Sequence, residues 1–162
     1  MPGIYRAGIT DLNDRGCNAM TATTDSITET ARAFFDACET GQGWAACSAY
    51  CQPDASFTAQ AEPLAEMQSL EQYTDWMKGL LVLAPDGTYA VKSFATDPEH
   101  NSVAAYAVFS GTHTGEGGPV PPTGQSTNSD YVYVMEFEDG KISHMSKIWN
   151  AGWAMRELGW AS

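Results

Sequence analysis

Residues 127–138 read TNSDYVYVMEFE, and an Asp-Gly dipeptide at 139–140 follows them. Bulky residues alternate with polar ones here, which is the period of a β-strand with one buried face. The odd positions from Ser129 to Phe137 carry the rings, so we expect that face to pack on the core. Asp-Gly is typical of tight hairpins and predicts a partner strand over 141–149. The stretch therefore indicates antiparallel sheet in the C-terminal half of the chain.

Helical spacing precedes the sheet. Residues 25–40 have an apolar stripe of period 3.6, and Ser26 with Glu29 resembles a capping box at its start. The stripe consists of Ile27, Ala31, Phe34 or Phe35, and Cys38. Further helices are predicted over 44–51 and 69–83, a short extended segment over 53–59, and strands over 89–97 and 102–112. This order predicts an α+β fold with three N-terminal helices on one face of a curved antiparallel sheet.

The last strand has an unusual inner face. If Ile142 and Ile148 are both buried, the even positions of 141–150 all point inward. His144, Ser146 and Asn150 then share that face. A polar stripe within an aromatic-lined sheet indicates a pocket rather than solid packing.

Charge excludes several classes of partner. The chain has 8 basic and 20 acidic residues and a net charge of -12, with no cluster of Lys or Arg. Nucleic acids and anionic membrane surfaces both need such clusters, so neither is expected as a partner. No apolar run approaches the roughly 20 residues that span a bilayer.

The N-terminus lacks the apolar core of a signal peptide and carries Asp11 and Asp14. We expect residues 1–20 to be a disordered or loosely docked leader, 21–162 to form one domain, and the protein to be cytoplasmic. Met20 is a second candidate start. Four cysteines without a signal peptide are expected to be reduced. Cys47 and Cys51 could form one edge of a metal site, but two ligands are too few, and we interpret them as buried small hydrophobes.

Several loop motifs occur in a characteristic order. They are PDA at 53–55, GTHTG at 111–115, PPTG at 121–124, DGKI at 139–142 and RELG at 156–159. With the preceding helices, this series resembles the SnoaL-like polyketide cyclases of the nuclear transport factor 2-like superfamily. The resemblance implies a cone-shaped sheet wrapped around the helices, with a cavity at its open end. It also implies a homodimer packed sheet to sheet, and an intramolecular aldol condensation that needs neither cofactor nor metal.

The sequence departs from the family at the expected catalytic positions. After DGKI a typical cyclase continues with Glu-His-Trp and, six residues beyond that Glu, an Asp. Here the four positions are His144, Met145, Ser146 and Asn150. Both family carboxylates are replaced, so any catalytic base has moved.

Four residues are candidates for catalysis. His144 could be the base, since the ordinary pKa of histidine is near 6.5, and Asn150 could donate a hydrogen bond to an enolate oxygen. His113 beside the glycine loop and Glu62 at the expected mouth are further candidates. The alternative for His144 is a core histidine whose hydrogen bonds are satisfied, and the alternative for Asn150 is a helix cap. His113 could instead stabilise a turn, and Glu62 could be a solvated loop residue. Ser146 and a set of aromatic residues could bind the substrate or simply fill the core: Tyr50, Tyr73, Trp76, Tyr131 and Tyr133.

Two classes of function remain open. The first is a cofactor-independent enzyme, of cyclase, isomerase or hydrolase type, that acts on a small hydrophobic carbonyl compound. The second is a non-catalytic protein that binds a small hydrophobic ligand or serves as a dimeric interaction module. In either case Tyr106, Val108, Val132 and Val134 should lie on the outer sheet face and form a homodimer interface.

Overall fold

A computed structural model describes the backbone of residues 12–162 and the side chains of residues 23–162. Residues 12–162 form four α-helices and five strands. The helices are α1 (Leu12–Glu39), α2 (Trp44–Cys47), α3 (Leu70–Leu83) and α4 (Ala151–Glu157), with short 3-10 turns at Ser48–Tyr50 and Glu62–Leu64. The strands are β1 (Cys51–Ala59), β2 (Thr88–Asp97), β3 (Ser102–Thr112), β4 (Ser126–Glu138) and β5 (Lys141–Trp149).

Helix α1 buries the predicted stripe, including both Phe34 and Phe35. The capping box at Ser26 is a wrong prediction, because the helix already begins at Leu12. No proline interrupts this segment, and a helix that has nucleated gains one hydrogen bond for each residue added. Residues 1–11 of the expected leader lie outside the described part of the chain, and the leader stays a prediction.

A capping box does begin α3. The Ser69 hydroxyl accepts a hydrogen bond from the Gln72 backbone N–H at 3.2 Å, and Gln72 Oε1 accepts one from the Ser69 N–H at 3.3 Å. The helix buries Leu70, Tyr73 and Met77. This fixed start determines which residues of α3 face the sheet.

The five strands form one curved sheet in the order β1-β5-β4-β3-β2. Strands β2 to β5 form the predicted antiparallel meander, and β1 adds to the edge of β5 in parallel. The odd positions of β4 are buried, as the alternation predicts. The α+β fold, with helices packed on a curved sheet, is confirmed.

A β-bulge inverts the face of the last strand. Phe137 pairs with Ile142, whereas the neighbouring Glu136 pairs with His144, so Ser143 is an extra residue. One extra residue exchanges the two faces of a strand from that point onward. Ile148 is consequently 65% exposed. The expected inward stripe is therefore wrong beyond Ile142.

The cysteines of the described region are buried free thiols at Cys38, Cys47 and Cys51, and Cys17 lies outside the described side chains. Burial raises the pKa of Cys51 to about 12, mainly by removing the thiolate from water. Among residues 23–162 no three His, Cys, Asp or Glu side chains come together as a metal site would require. No helix in the described part of the chain has the length and apolarity to cross a membrane.

Candidate functional site

A chamber lies between α3, the inner faces of β4 and β5, and the segment from α4 to Trp160. We call it the inner chamber; its free volume is about 30 Å³. That is room for a water molecule or two. Its walls are mostly apolar, and the polar groups that reach it are Glu39, Thr127, Ser129, Tyr131 and Lys147.

A wider space adjoins the chamber and is called here the outer vestibule. It has a volume of about 720 Å³ and shares Trp76, Leu80, Met155 and Trp160 with the chamber. Glu116 and Gly117 of the loop between β3 and β4 contribute to its rim. The loop can approach α3 because residue 115 is glycine: a Cβ there would clash with the Val82 carbonyl oxygen. The GTHTG motif thus shapes the entrance.

A buried carboxylate stands at the end of α1. Glu39 is 3% exposed, and its Oε2 accepts a hydrogen bond of 2.6 Å from the Tyr131 hydroxyl. Its Oε1 accepts a second hydrogen bond from the Tyr133 hydroxyl. Both tyrosines come from the inner face of β4, so the alternation of that strand positions the donors.

A buried amine faces the same region from β5. Lys147 is 7% exposed, and its Nζ donates a hydrogen bond of 2.8 Å to the Tyr73 hydroxyl. The Nζ lies 4.5 Å from the centroid of the Trp149 ring and 5.2 Å from that of Tyr131. The rings of Tyr73, Trp76 and Tyr133 lie 5.0 to 5.8 Å away. Aromatic faces attract a cation, so they partly replace the lost hydration.

A chain of hydrogen bonds joins the amine to the carboxylate. Lys147 donates to Tyr73, the hydroxyls of Tyr73 and Tyr133 contact each other, and Tyr133 donates to Glu39. Each hydrogen atom in this chain of hydrogen bonds can point toward the Glu39 carboxylate. We call these four residues the buried relay. It can carry a proton between the two ends by shifting each hydroxyl hydrogen one place.

Burial shifts the pKa values of Lys147 and Glu39, the two ends of the buried relay, in the direction that favours their uncharged forms. Loss of hydration lowers the pKa of Lys147 to about 8, against the opposing charge of Glu39. The same effect raises the pKa of Glu39, against the Lys147 charge and the tyrosine hydrogen bonds. Burial also raises the pKa of Tyr73 and Tyr133, which keeps them as neutral hydroxyls. The pKa shifts of Lys147 and Glu39 both lower the free-energy cost of passing a proton from the lysine to the glutamate.

The predicted aromatic residues fall into three groups. Trp76 and Tyr131 line the inner chamber, while Tyr73 and Tyr133 belong to the buried relay. Tyr50 packs, half-buried, against the core and lines neither the inner chamber nor the outer vestibule.

His144 and Ser146 lie on the opposite face of the sheet from the chamber. His144 Nδ1 is 2.7 Å from the Ser56 hydroxyl, and its Nε2 is 3.1 Å from the Ser146 hydroxyl and 3.2 Å from that of Thr58. The Glu136 carboxylate lies 3.8 Å from the same Nε2. The prediction that His144 points into the cone is wrong, because of the bulge at Ser143.

The other three predicted catalytic residues have different surroundings. Asn150 caps α4, accepting a hydrogen bond of 3.1 Å from the Trp153 N–H, so the helix-cap alternative is the one observed. His113 is buried, and its Nδ1 accepts a hydrogen bond of 2.8 Å from the Trp160 indole N–H. It thereby holds the tail that covers the chamber. Glu62 is exposed in a 3-10 turn and does not line the chamber.

The sequence reasoning missed Glu39 and Lys147. Glu39 follows Phe35 by one helical turn and so continues the apolar stripe of α1, which was a usable signal. Lys147 stands between Met145 and Trp149 in the alternating pattern of β5. Those two bulky residues favour the odd face as the inner one, and the assumption that Ile148 is buried concealed this.

A known family matches most of the chain. Residues 29–158 match the family described as SnoaL-like polyketide cyclase. The chain belongs to this family. No curated protein sequence matches it. The expectation drawn from the loop motifs is therefore confirmed for family and fold.

Solved structures with the same fold carry diverse names. A proposed SnoaL-like polyketide cyclase from Jannaschia Sp. CCS1 superposes with a TM-score of 0.71 at 18% identity, covering 86% of this chain and 96% of the other. AclR from Streptomyces galilaeus, a suggested hydroxylase, has a TM-score of 0.69 at 22% identity, covering 86% of this chain and 88% of AclR. An LEH-like epoxide hydrolase from M. tuberculosis has a TM-score of 0.60 at 12% identity, covering 83% of this chain and 90% of the hydrolase. These similarities establish the fold, and the reaction has to be argued from the residues of the site.

Proposed function

We propose that this protein is a cofactor-independent enzyme that acts on a small hydrophobic carbonyl compound by acid/base chemistry. The observation that carries the proposal is a carboxylate and an amine at the wall of one apolar, water-poor chamber. Burying two ionisable groups costs several kcal/mol each unless they are well compensated. Groups of this kind with shifted pKa values occur preferentially at functional sites.

Each end of the pair has a distinct role. Lys147 donates a hydrogen bond to the carbonyl oxygen and stabilises the negative charge that develops there. Glu39 accepts the proton from the adjacent carbon. A carboxylate has about four acceptor positions, and the tyrosine hydroxyls occupy two of them. Capacity for a substrate proton therefore remains.

Shape supports a hydrophobic substrate. The body of the molecule would occupy the outer vestibule of about 720 Å³, against Trp76, Leu80 and Trp160. Its carbonyl end would enter the inner chamber. Apolar walls that exclude water strengthen the electrostatic contacts made inside.

A non-catalytic binding protein is the second candidate. The inner chamber is small, at about 30 Å³, and its Glu39 carboxylate already accepts two hydrogen bonds from tyrosines. Both observations suit a protein that holds a ligand in the vestibule without reacting with it.

Proton exchange separates these two candidates. We expect the wild type to accelerate exchange of the α-protons of 2-tetralone in D₂O at pH 7, followed by NMR. Glu39→Gln should lose about 10²–10⁴-fold of that acceleration, the usual contribution of a general base. Glu62→Gln is the matched control, because Glu62 is an exposed carboxylate, and it should exchange at the wild-type rate. Saturable binding of 2-tetralone with no exchange above buffer would instead support the binding protein.

A further inference from the structure

We infer that the Lys147 amine captures the carbonyl compound covalently, as an imine that serves as the electron sink of the reaction. This rests on the proposed function, since it takes the same substrate in the same chamber. The geometry that points to it is a primary amine on the chamber wall, surrounded by five aromatic rings and joined by a hydrogen-bonded chain to a carboxylate.

The surroundings of Lys147 differ from those of the other lysines. Lys78, Lys92 and Lys141 are exposed, so water solvates their ammonium groups. Lys147 Nζ donates to the Tyr73 hydroxyl, the one hydrogen bond that the described residues provide to it. Once the Nζ proton that faces Tyr73 has been passed to that hydroxyl, the lone pair left on Nζ faces Tyr73, and rotation about the Cε–Nζ bond turns it away. Because Lys147 lines the chamber, that lone pair can be directed at a carbonyl carbon there.

The buried relay provides the neutral amine. One proton passes from Lys147 to Tyr73 while Tyr73 passes its own to Tyr133 and Tyr133 passes its own to Glu39. The ion pair then becomes an amine and a carboxylic acid, with no change in total charge. Burial lowers the free energy of this neutral pair relative to the ion pair, as the lowered pKa of Lys147 and the raised pKa of Glu39 indicate. An arginine could not supply the same species, since it keeps its proton.

The covalent step balances without an external reagent. The nitrogen lone pair attacks the carbonyl carbon and forms the C–N bond of a carbinolamine, with one amine proton moving to the oxygen. Glu39 returns its proton to that hydroxyl, which leaves as water, and a positively charged imine remains. The restored Glu39 carboxylate then removes a proton from the adjacent carbon. The electron pair of that C–H bond forms a C=C bond, the π pair of the C=N bond moves to the nitrogen, and a neutral enamine results.

Reductive trapping tests this directly. The full-length protein is incubated with benzaldehyde and sodium cyanoborohydride at pH 7, and the modified residues are located by peptide mass spectrometry. Hydride addition to the imine carbon leaves a stable secondary amine, whose mass gain is that of benzaldehyde less one oxygen atom. We expect Lys147 to be modified at least about tenfold faster than Lys78, Lys92 or Lys141. Modification of those exposed lysines with Lys147 unmodified would overturn the proposal.

A second measurement distinguishes failure of this inference from failure of the proposed function. Lys147→Arg keeps the positive charge and hydrogen-bond donors but cannot form the trapped amine. If the imine is required, the variant loses 2-tetralone exchange and the wild type gives the Lys147 adduct. If the variant retains exchange and the wild type gives no adduct, the imine is refuted and acid/base catalysis stands. A Lys147 adduct in a wild type that catalyses no exchange would support covalent capture and refute the acid/base proposal.

Discussion

Replacement of Glu39 by glutamine and Lys147 by methionine, singly and together, tests whether the two buried charges stabilise each other. Glu39→Gln keeps the shape and an acceptor for the tyrosines but leaves the buried ammonium without a counter-charge. Loss of one partner from a buried pair costs about 3–5 kcal/mol. Either unpaired group can become neutral, Glu39 by taking a proton and Lys147, whose pKa burial lowers to about 8, by losing one, so each single loss should fall at the lower end of that range.

The coupling between the two sites follows from their separation. Three consecutive hydrogen bonds of ordinary length span at most about 8 Å between the amine and the carboxylate. At an effective dielectric constant of about 20, unit charges at that distance interact by about 2 kcal/mol. The double variant should therefore be about 2 kcal/mol more stable than the sum of the two single losses predicts.

Urea denaturation at pH 7, monitored by circular dichroism, measures the four free energies of unfolding. The matched controls are Glu62→Gln and Lys92→Met, which alter an exposed carboxylate and an exposed lysine. Each control should stay within about 0.5 kcal/mol of the wild type. If the Glu39 and Lys147 losses add to within about 0.5 kcal/mol, the charges do not interact and the buried relay has no energetic role.

Three further predictions concern pH, the chamber cover and assembly. The pKa of Lys147 is lowered from 10.5 to about 8, so between those pH values the unfolded chain binds more protons. Wild-type stability, measured relative to Lys147→Met, should therefore rise by up to about 3 kcal/mol from pH 8 to 10.5; a flat difference would contradict the shift. Trp160→Ala removes a wall of the chamber and the indole partner of His113, so it should increase acrylamide quenching of the remaining tryptophans; unchanged quenching would show that the tail does not seal the chamber. Tyr106, Val132 and Ile148 pair in one row across the outer sheet face, so we expect a homodimer there. Sedimentation should give a dimer for the wild type and a monomer for Ile148→Glu, and a monomeric wild type at micromolar concentration would refute it.

Local patterns were sufficient for much of the fold. The alternation in 127–138 identified β4 and its buried face, because successive side chains on a strand point to opposite sides. The stripe from Ile27 to Cys38 identified the buried face of α1 in the same way. The Asp-Gly dipeptide at 139–140 located the last hairpin. In each case neighbouring residues contain the whole signal.

The site depended mostly on the tertiary structure, and local patterns contained only part of the information. A single extra residue at Ser143 decided which face of β5 is buried. As a result, Lys147 lines the chamber in place of the predicted His144. Pairing with β4 determines such a bulge, and the alternation within β5 alone is compatible with either face. Glu39 and Lys147 are 108 residues apart in the sequence, and only the packing of α1 against the sheet makes them ends of one hydrogen-bonded chain. The sequence therefore indicated the fold, whereas the tertiary structure determined which charged groups are buried together, because their pKa values and hydrogen-bond partners arise only from that burial.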